Sequence, residues 1–188
     1  MLNYNATENH ISTRDGLPIS IRSTLLEEAK SDWSKHPAYA KNARFFMNIH
    51  RQLINKSQDI ANTLEKMLDI PDSDIQLAIN QSKLIANSRH LFQFAHGHHQ
   101  IEDHNYFPQF IRLQPSLEQA FELMDGDHNV IETTLHNAEQ SLNSLAQNGT
   151  TRDRLAEFYK HSKGLNKIIT RHIRDEEEVI IPIFLRHG

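Results

Sequence analysis

Thirteen histidines and no cysteine in 188 residues turn attention first to imidazole and carboxylate chemistry. Two stretches repeat one pattern: HHQIEDHNYFPQFIR at 98–112 and HIRDEEEVIIPIFLR at 172–186. Each sets a glutamate four residues after a histidine, a second acid directly after it, then a proline and a closing arginine. In a helix, positions i and i+4 share a face, so His98 with Glu102 and His172 with Glu176 form two side-by-side donor pairs. Such pairs bind cations. Two further histidines, His50 and His128, occupy apolar positions of their own segments.

The elements that must position these residues follow from the punctuation. Six glycines and six prolines suit long helices joined by short loops. Pro71 with Asp72 and Ser73, Pro115 with Ser116, and the run Asn148-Gly149-Thr150-Thr151 divide the chain after an N-terminal arm. Four long segments result, at about 38–69, 73–112, 116–147 and 151–186. Each carries an apolar stripe with steps of three and four. The stripes are Ala43, Phe46, His50, Leu53, Ser57, Ile60, Leu64, Met67; then Leu77, Gln81, Leu84, Ser88, Leu91, Ala95, His98, Glu102, Asn105. The third is Leu117, Phe121, Met124, His128, Ile131, Leu135, Ala138, Leu142, Leu145, and the fourth Leu155, Phe158, Ser162, Leu165, Ile169, His172, Glu176, Val179, Ile183. The expected fold is all-α: an up-down-up-down four-helix bundle over 37–188, preceded by an arm over 1–36 with one short helix around Leu25 to Trp33.

In that bundle the four histidines lie at one depth, roughly 18–21 Å from one end at 1.5 Å rise per residue. Glu102 and Glu176 join them. Two facing buried carboxylates are costly, and no lysine or arginine falls on the seam nearby, so a cation must supply the missing charge. Imidazole and carboxylate without sulfur suit iron, with manganese and zinc left open. Six protein ligands exceed what one tetrahedral zinc takes and suit two octahedral ions. Two histidines per ion, two bridging glutamates and a bridging oxygen species leave at least one position open for a small molecule. Two iron ions are therefore the expected cofactor, held by His50, His98, Glu102, His128, His172 and Glu176.

Over 38–186 the chain resembles the hemerythrin-like HHE cation-binding family. The resemblance rests on His50, on His98-x-x-x-Glu102 with Asp103 and Phe107-Pro108, on His128, and on His172-x-x-x-Glu176 with Glu177 and Ile181-Pro182. It implies a non-haem diiron site that binds dioxygen or nitric oxide. Roles in oxygen carriage, storage, sensing or iron handling come with it, with oxidase or peroxidase chemistry and iron storage or donation as alternatives. One departure matters. The third helix of the oxygen-carrying hemerythrins supplies two histidines a turn apart, whereas here Glu132 follows His128. Either the site has four histidines and an extra open position, which favours reactivity over reversible carriage, with Glu132 solvated or supporting, or Glu132 is a further ligand.

The remaining candidates receive ordinary readings. His99 points some 100° from His98 and reads as surface or a supporting group. Asp103 and Glu177 read as carboxylates that orient ligand histidines or face solvent. His90, His96, His104, His136 and His161 read as surface; His10 and His36 belong to the arm, whose role stays open among capping the bundle, pairing with a second subunit and binding a partner. A formal charge of −4 gives no reason to expect nucleic acid or anionic membrane as partners. The first fifteen residues lack a signal-peptide pattern, which with the absence of cysteine fits the cytoplasm. A homo-oligomer is left open.

Overall fold

The computed structural model describes residues 2–188, and among them no residue lies in a strand. The protein is all-α. Seven α-helices follow in order among the described residues: α1 (Ile19–Arg22), α2 (Asn42–Leu68), α3 (Asp72–Gln81), α4 (Leu84–Ile101), α5 (Phe107–Leu113), α6 (Glu118–Gln147) and α7 (Arg152–His187). A π-helical turn, Glu102–Tyr106, lies between α4 and α5. No helix among the described residues is long and apolar enough to cross a membrane.

The local signals work as their chemistry dictates. Pro71 precedes α3, and Asp72 and Asp74 in its first turn complement the helix dipole. Gly149 takes φ +88° after α6, and Thr151 Oγ1 accepts from the Arg154 N–H at the start of α7. Every stripe residue named for the first, third and fourth segments is buried.

The second segment differs. It is not one helix: α3 ends at Gln81, and Lys83 adopts φ 54° before α4 begins. Ser82 N–H still donates to Ala78 O, while Lys83 O accepts from Asn87 N–H as the opening bond of α4. The turn re-phases the chain, so Ile75 and Ile79 are buried whereas Leu77 and Gln81 are exposed. A second re-phasing occurs at the π turn, where Phe107 N–H donates to Glu102 O five residues back. Asn105 is therefore exposed and Phe107 and Phe110 enter the core. Pro108, with no N–H to give, follows directly.

In the N-terminal region, α1 covers Ile19–Arg22, upstream of the expected position around Leu25 to Trp33. Only 3₁₀ turns follow, at Lys30–Lys35 and Pro37–Ala40.

The chain divides into two compact units whose boundaries fall within α2, α4, α6 and α7. Unit 1 comprises Met1–Gln52, His98–Val130 and Thr170–Gly188. Its core joins Leu17, Ile21 and Trp33 of the N-terminal region to Phe46, Phe107, Phe110, Phe121 and the run Val179–Leu185. Unit 2 comprises Leu53–Gly97 and Ile131–Ile169. Its buried residues include Leu64, Ile79, Leu84, Leu91, Leu142 and Phe158. Arg152 ties it together by donating to Ile70 O at 2.6 Å and to the Asp72 carboxylate, and Asn166 donates to Ser57 Oγ at 2.9 Å.

Lys83 holds a left-handed conformation that costs a residue with a Cβ on the order of 1 kcal/mol. Lys83→Gly should raise the denaturant midpoint of the chain, by about 0.5–1 kcal/mol of stability. A lowered midpoint would mean that the lysine side chain stabilises the turn.

Candidate metal centre

All six residues singled out in the sequence lie in unit 1, and the structure brings them together. His50 comes from α2, His98 from α4, Glu102 from the start of the π turn, His128 from α6, and His172 and Glu176 from α7. Their exposure is 0–7%. His98 Nε2 lies 3.0 Å from Glu102 Oε1, and His50 Nε2 lies 3.8 Å from that oxygen and 3.4 Å from Glu176 Oε2. On the other side, His128 Nε2 is 3.7 Å from Glu102 Oε2, and His172 Nε2 is 3.6 Å from Glu176 Oε2. The two imidazole Nε2 atoms of His128 and His172 face each other at 3.1 Å.

His99, read from the sequence as surface or a supporting group, lies buried beside this cluster. It is 3% exposed and stacks on His128 with ring centroids 4.3 Å apart. Adjacent residues diverge by 100° on a helix, yet both face inward because α4 sets its edge, not one narrow line, against the cluster. The signal was present: Ala95, His98, His99 and Glu102 are spaced by three and four, so His99 belongs to the same apolar arc.

Two quartets of donors result. One is His99, Glu102, His128 and His172; the other is His50, His98, Glu102 and Glu176, and within each the donor atoms lie within 4.8 Å of one another. Glu102 belongs to both. Two donors on one ion, each bonded at about 2.1 Å, lie at most about 4.2 Å apart, and the separations within each quartet given above, 3.0–3.8 Å, meet that bound.

Electrostatics show what is missing. Burial, then the neighbouring Glu176, pushes the Glu102 carboxyl well above its ordinary range. Burial draws the His50 imidazole down, but Glu176, Glu102 and Glu177 outweigh it and raise its pKa to about 10. Burial and the surrounding imidazoles hold His98 and His172 well below the usual histidine value. Both oxygens of Glu102, both of Glu176, both ring nitrogens of His50 and His98 Nε2 are buried without a hydrogen-bond partner. Orphaned polar atoms of this density in a buried core are rare, and a cation among the carboxylate oxygens and Nε2 atoms would satisfy most of them together. The donor set therefore fits metal ions.

Carboxylates stand behind the imidazoles. Asp103 Oδ1 lies 2.6 Å from His128 Nδ1, and Glu177 Oε1 lies 3.4 Å from His50 Nδ1. Behind His172 stands Asp127, its Oδ2 3.3 Å from Nδ1. Asp127 in turn accepts from Tyr4 Oη at 2.7 Å and from both Nη atoms of the buried Arg14. Arg14 Nε also donates to Asp175 Oδ2 at 3.0 Å. Burial raises both Asp127 and Asp175, with Arg14 pulling against it. Sequence reasoning missed Tyr4, Arg14 and Asp127, because a pairing over more than one hundred residues leaves no local pattern.

The remaining histidines lie elsewhere. His96 Nδ1 meets Glu132 at 2.9 Å in unit 2, both half-exposed, so Glu132 joins neither quartet. His90, His104 and His136 are exposed, and His161 meets Glu157 at 2.9 Å. His36 Nδ1 accepts from the Ala38 N–H, and His10 packs on the Tyr4 ring.

A family model, the hemerythrin HHE cation binding domain, matches residues 41–184. The chain belongs to that family. No curated protein and no solved structure matches it.

The raised Glu102 pKa yields a sign for the metal-free chain. A group whose folded pKa exceeds its unfolded value is fully compatible with folding below the unfolded value, and it loses stability as pH rises through the folded one. Glu102→Gln should thus stabilise the metal-free protein by about 1 kcal/mol or more near pH 8, and by progressively less towards pH 5. The same variant should take up less metal. Urea midpoints of the two metal-free proteins across that pH range check this, and a gain independent of pH would contradict it.

Proposed function

We propose that this protein is a non-haem diiron protein that binds or senses dioxygen or nitric oxide. The observation that carries the reading is the enclosed pair of donor quartets sharing Glu102, with five imidazoles and two carboxylates no more than 7% exposed.

His99, His128 and His172 with Glu102 would hold one ion, and His50 and His98 with Glu102 and Glu176 the other. Iron bound there supplies a redox-active centre with a coordination position left for a diatomic ligand. Asp103 and Asp127 hold His128 and His172 with Nε2 turned to the centre, and Glu177 faces His50 Nδ1 at 3.4 Å. Phe46 sits 5.8 Å from the His50 ring and 6.2 Å from the His98 ring, and Phe107 stacks on His128 at 5.3 Å. These rings exclude water and favour small uncharged ligands over ionic substrates. The fifth histidine also bears on the chemistry. The departure at Glu132 suggested fewer imidazoles and an enzyme-like centre, but His99 restores the number from α4, which favours ligand binding over turnover.

The test is elemental analysis of the purified chain, followed by anaerobic reduction and exposure to air or nitric oxide. About two irons per chain and a new visible band are expected, with both lost or much reduced in His98→Ala. Stoichiometric iron without any band would contradict gas binding, and sustained turnover of peroxide at the same centre would favour the oxidase or peroxidase alternative.

A further inference from the structure

The N-terminal region brings an arginine into the core beside the candidate centre. The Arg14 side chain is 2% exposed, and it spans two helices by reaching Asp127 on α6 and Asp175 on α7. Its Nη1 also donates to Asn9 O at 2.6 Å, which locks the turn that carries it. Arg171 on α7 pairs with Asp175 and donates to Asp15 O, fastening the same turn from the other side.

Asp127 is thereby fixed at both oxygens. Oδ1 accepts from Tyr4 Oη and Arg14 Nη1; Oδ2 accepts from Arg14 Nη2 and faces His172 Nδ1. With Oδ2 as its acceptor, His172 carries its proton on Nδ1 and presents the Nε2 lone pair to the quartet. A bidentate guanidinium holds a carboxylate plane in one orientation, which a point charge does not.

An independent observation points to the same docking. Gly126 stands in the interior of α6, where glycine costs about 1 kcal/mol relative to alanine. A Cβ there would lie 2.2 Å from Tyr4 Cδ2, so the ring of Tyr4 occupies the space a side chain would need. The sequence accepts a weak helix residue next to Asp127, at the point where the arm lands.

We propose that the N-terminal arm completes the metal centre: Arg14 and Tyr4 act through Asp127 as positioning residues for His172, so arm docking and metal binding strengthen each other. This rests on the metal-site reading above. Linkage makes the effect reciprocal: whatever the arm adds to metal affinity, bound metal adds to arm docking. Loss of an outer carboxylate partner typically costs about 10–100-fold in metal affinity.

The experiment uses the full chain, with iron content measured first. Hydrogen exchange of residues 2–17 is compared between metal-free and iron-loaded wild type. Iron release to a ferrous chelator is timed for wild type, Arg14→Gln, Arg14→Lys and Gly126→Ala, with Ile19→Ala at an exposed site as control. Iron loading should slow exchange in the arm by about tenfold or more, the magnitude that outer partners contribute. Arg14→Gln and Gly126→Ala should release iron faster, and Arg14→Lys should not restore the wild-type rate, because it keeps the charge but loses the fork. Should Arg14→Gln fail to fold, Gly126→Ala and the wild-type exchange data still decide. Iron uptake with arm exchange unchanged, or wild-type release from Gly126→Ala, overturns the arm's role and leaves the metal site standing. Full recovery in Arg14→Lys reduces Arg14 to charge compensation and overturns positioning. A wild type that takes up no metal removes both readings.

Discussion

Two carboxylates, Glu102 and Glu176, face each other in a fully buried site whose other walls are imidazoles. Neither has a hydrogen-bond donor at either oxygen. Ionising both together in such a site is costly, which is why burial and Glu176 push the Glu102 carboxyl well above its ordinary range. Much of unit 1 can be understood as a scaffold that makes this arrangement tolerable until positive charge arrives. The aromatic core anchors the helix ends, and Asp103, Glu177 and Asp127 brace the rings from outside.

The bracing is uneven, and that unevenness separates the two quartets. His172 leans on Asp127, which is buried and held by Arg14 and Tyr4, whereas Asp103 behind His128 and Glu177 behind His50 are both partly open, at 31% and 12% exposure. Buried Arg14 stands behind His172 alone. The quartet with His99, His128 and His172 thus depends, through His172, on a segment distant in sequence. The π turn adds to the same construction: Glu102 opens it, and its looser winding aims that carboxylate at both quartets while returning Phe107 and Phe110 to the core.

How much of this was legible in the chain depended on the range of the signal. Periodicity resolved three of the four stripes residue by residue, because α2, α6 and α7 run without a break and a constant phase carries along each. It failed in the second segment, where a left-handed lysine and a π turn each re-phase the helix, and Leu77 and Asn105 fell on the wrong side. The cluster itself was readable because His-x-x-x-Glu is a one-turn relation and the repeat doubled it. For His99 the 100° step from His98 left surface and supporting roles open, and burial excludes only the first. Arg14, Tyr4 and Asp127 were beyond reach, since Asp127 carries no local mark of the arm that pairs with it.

The central claim is that two cations sit between these donors, one in each quartet. The most direct test is anomalous diffraction at the iron edge from crystals of the iron-loaded chain. Two peaks are expected in unit 1, one among His99, His128 and His172 and one between His50 and His98, with Glu102 beside both. A single peak, or metal held only at exposed groups such as His96 and Glu132, would contradict it.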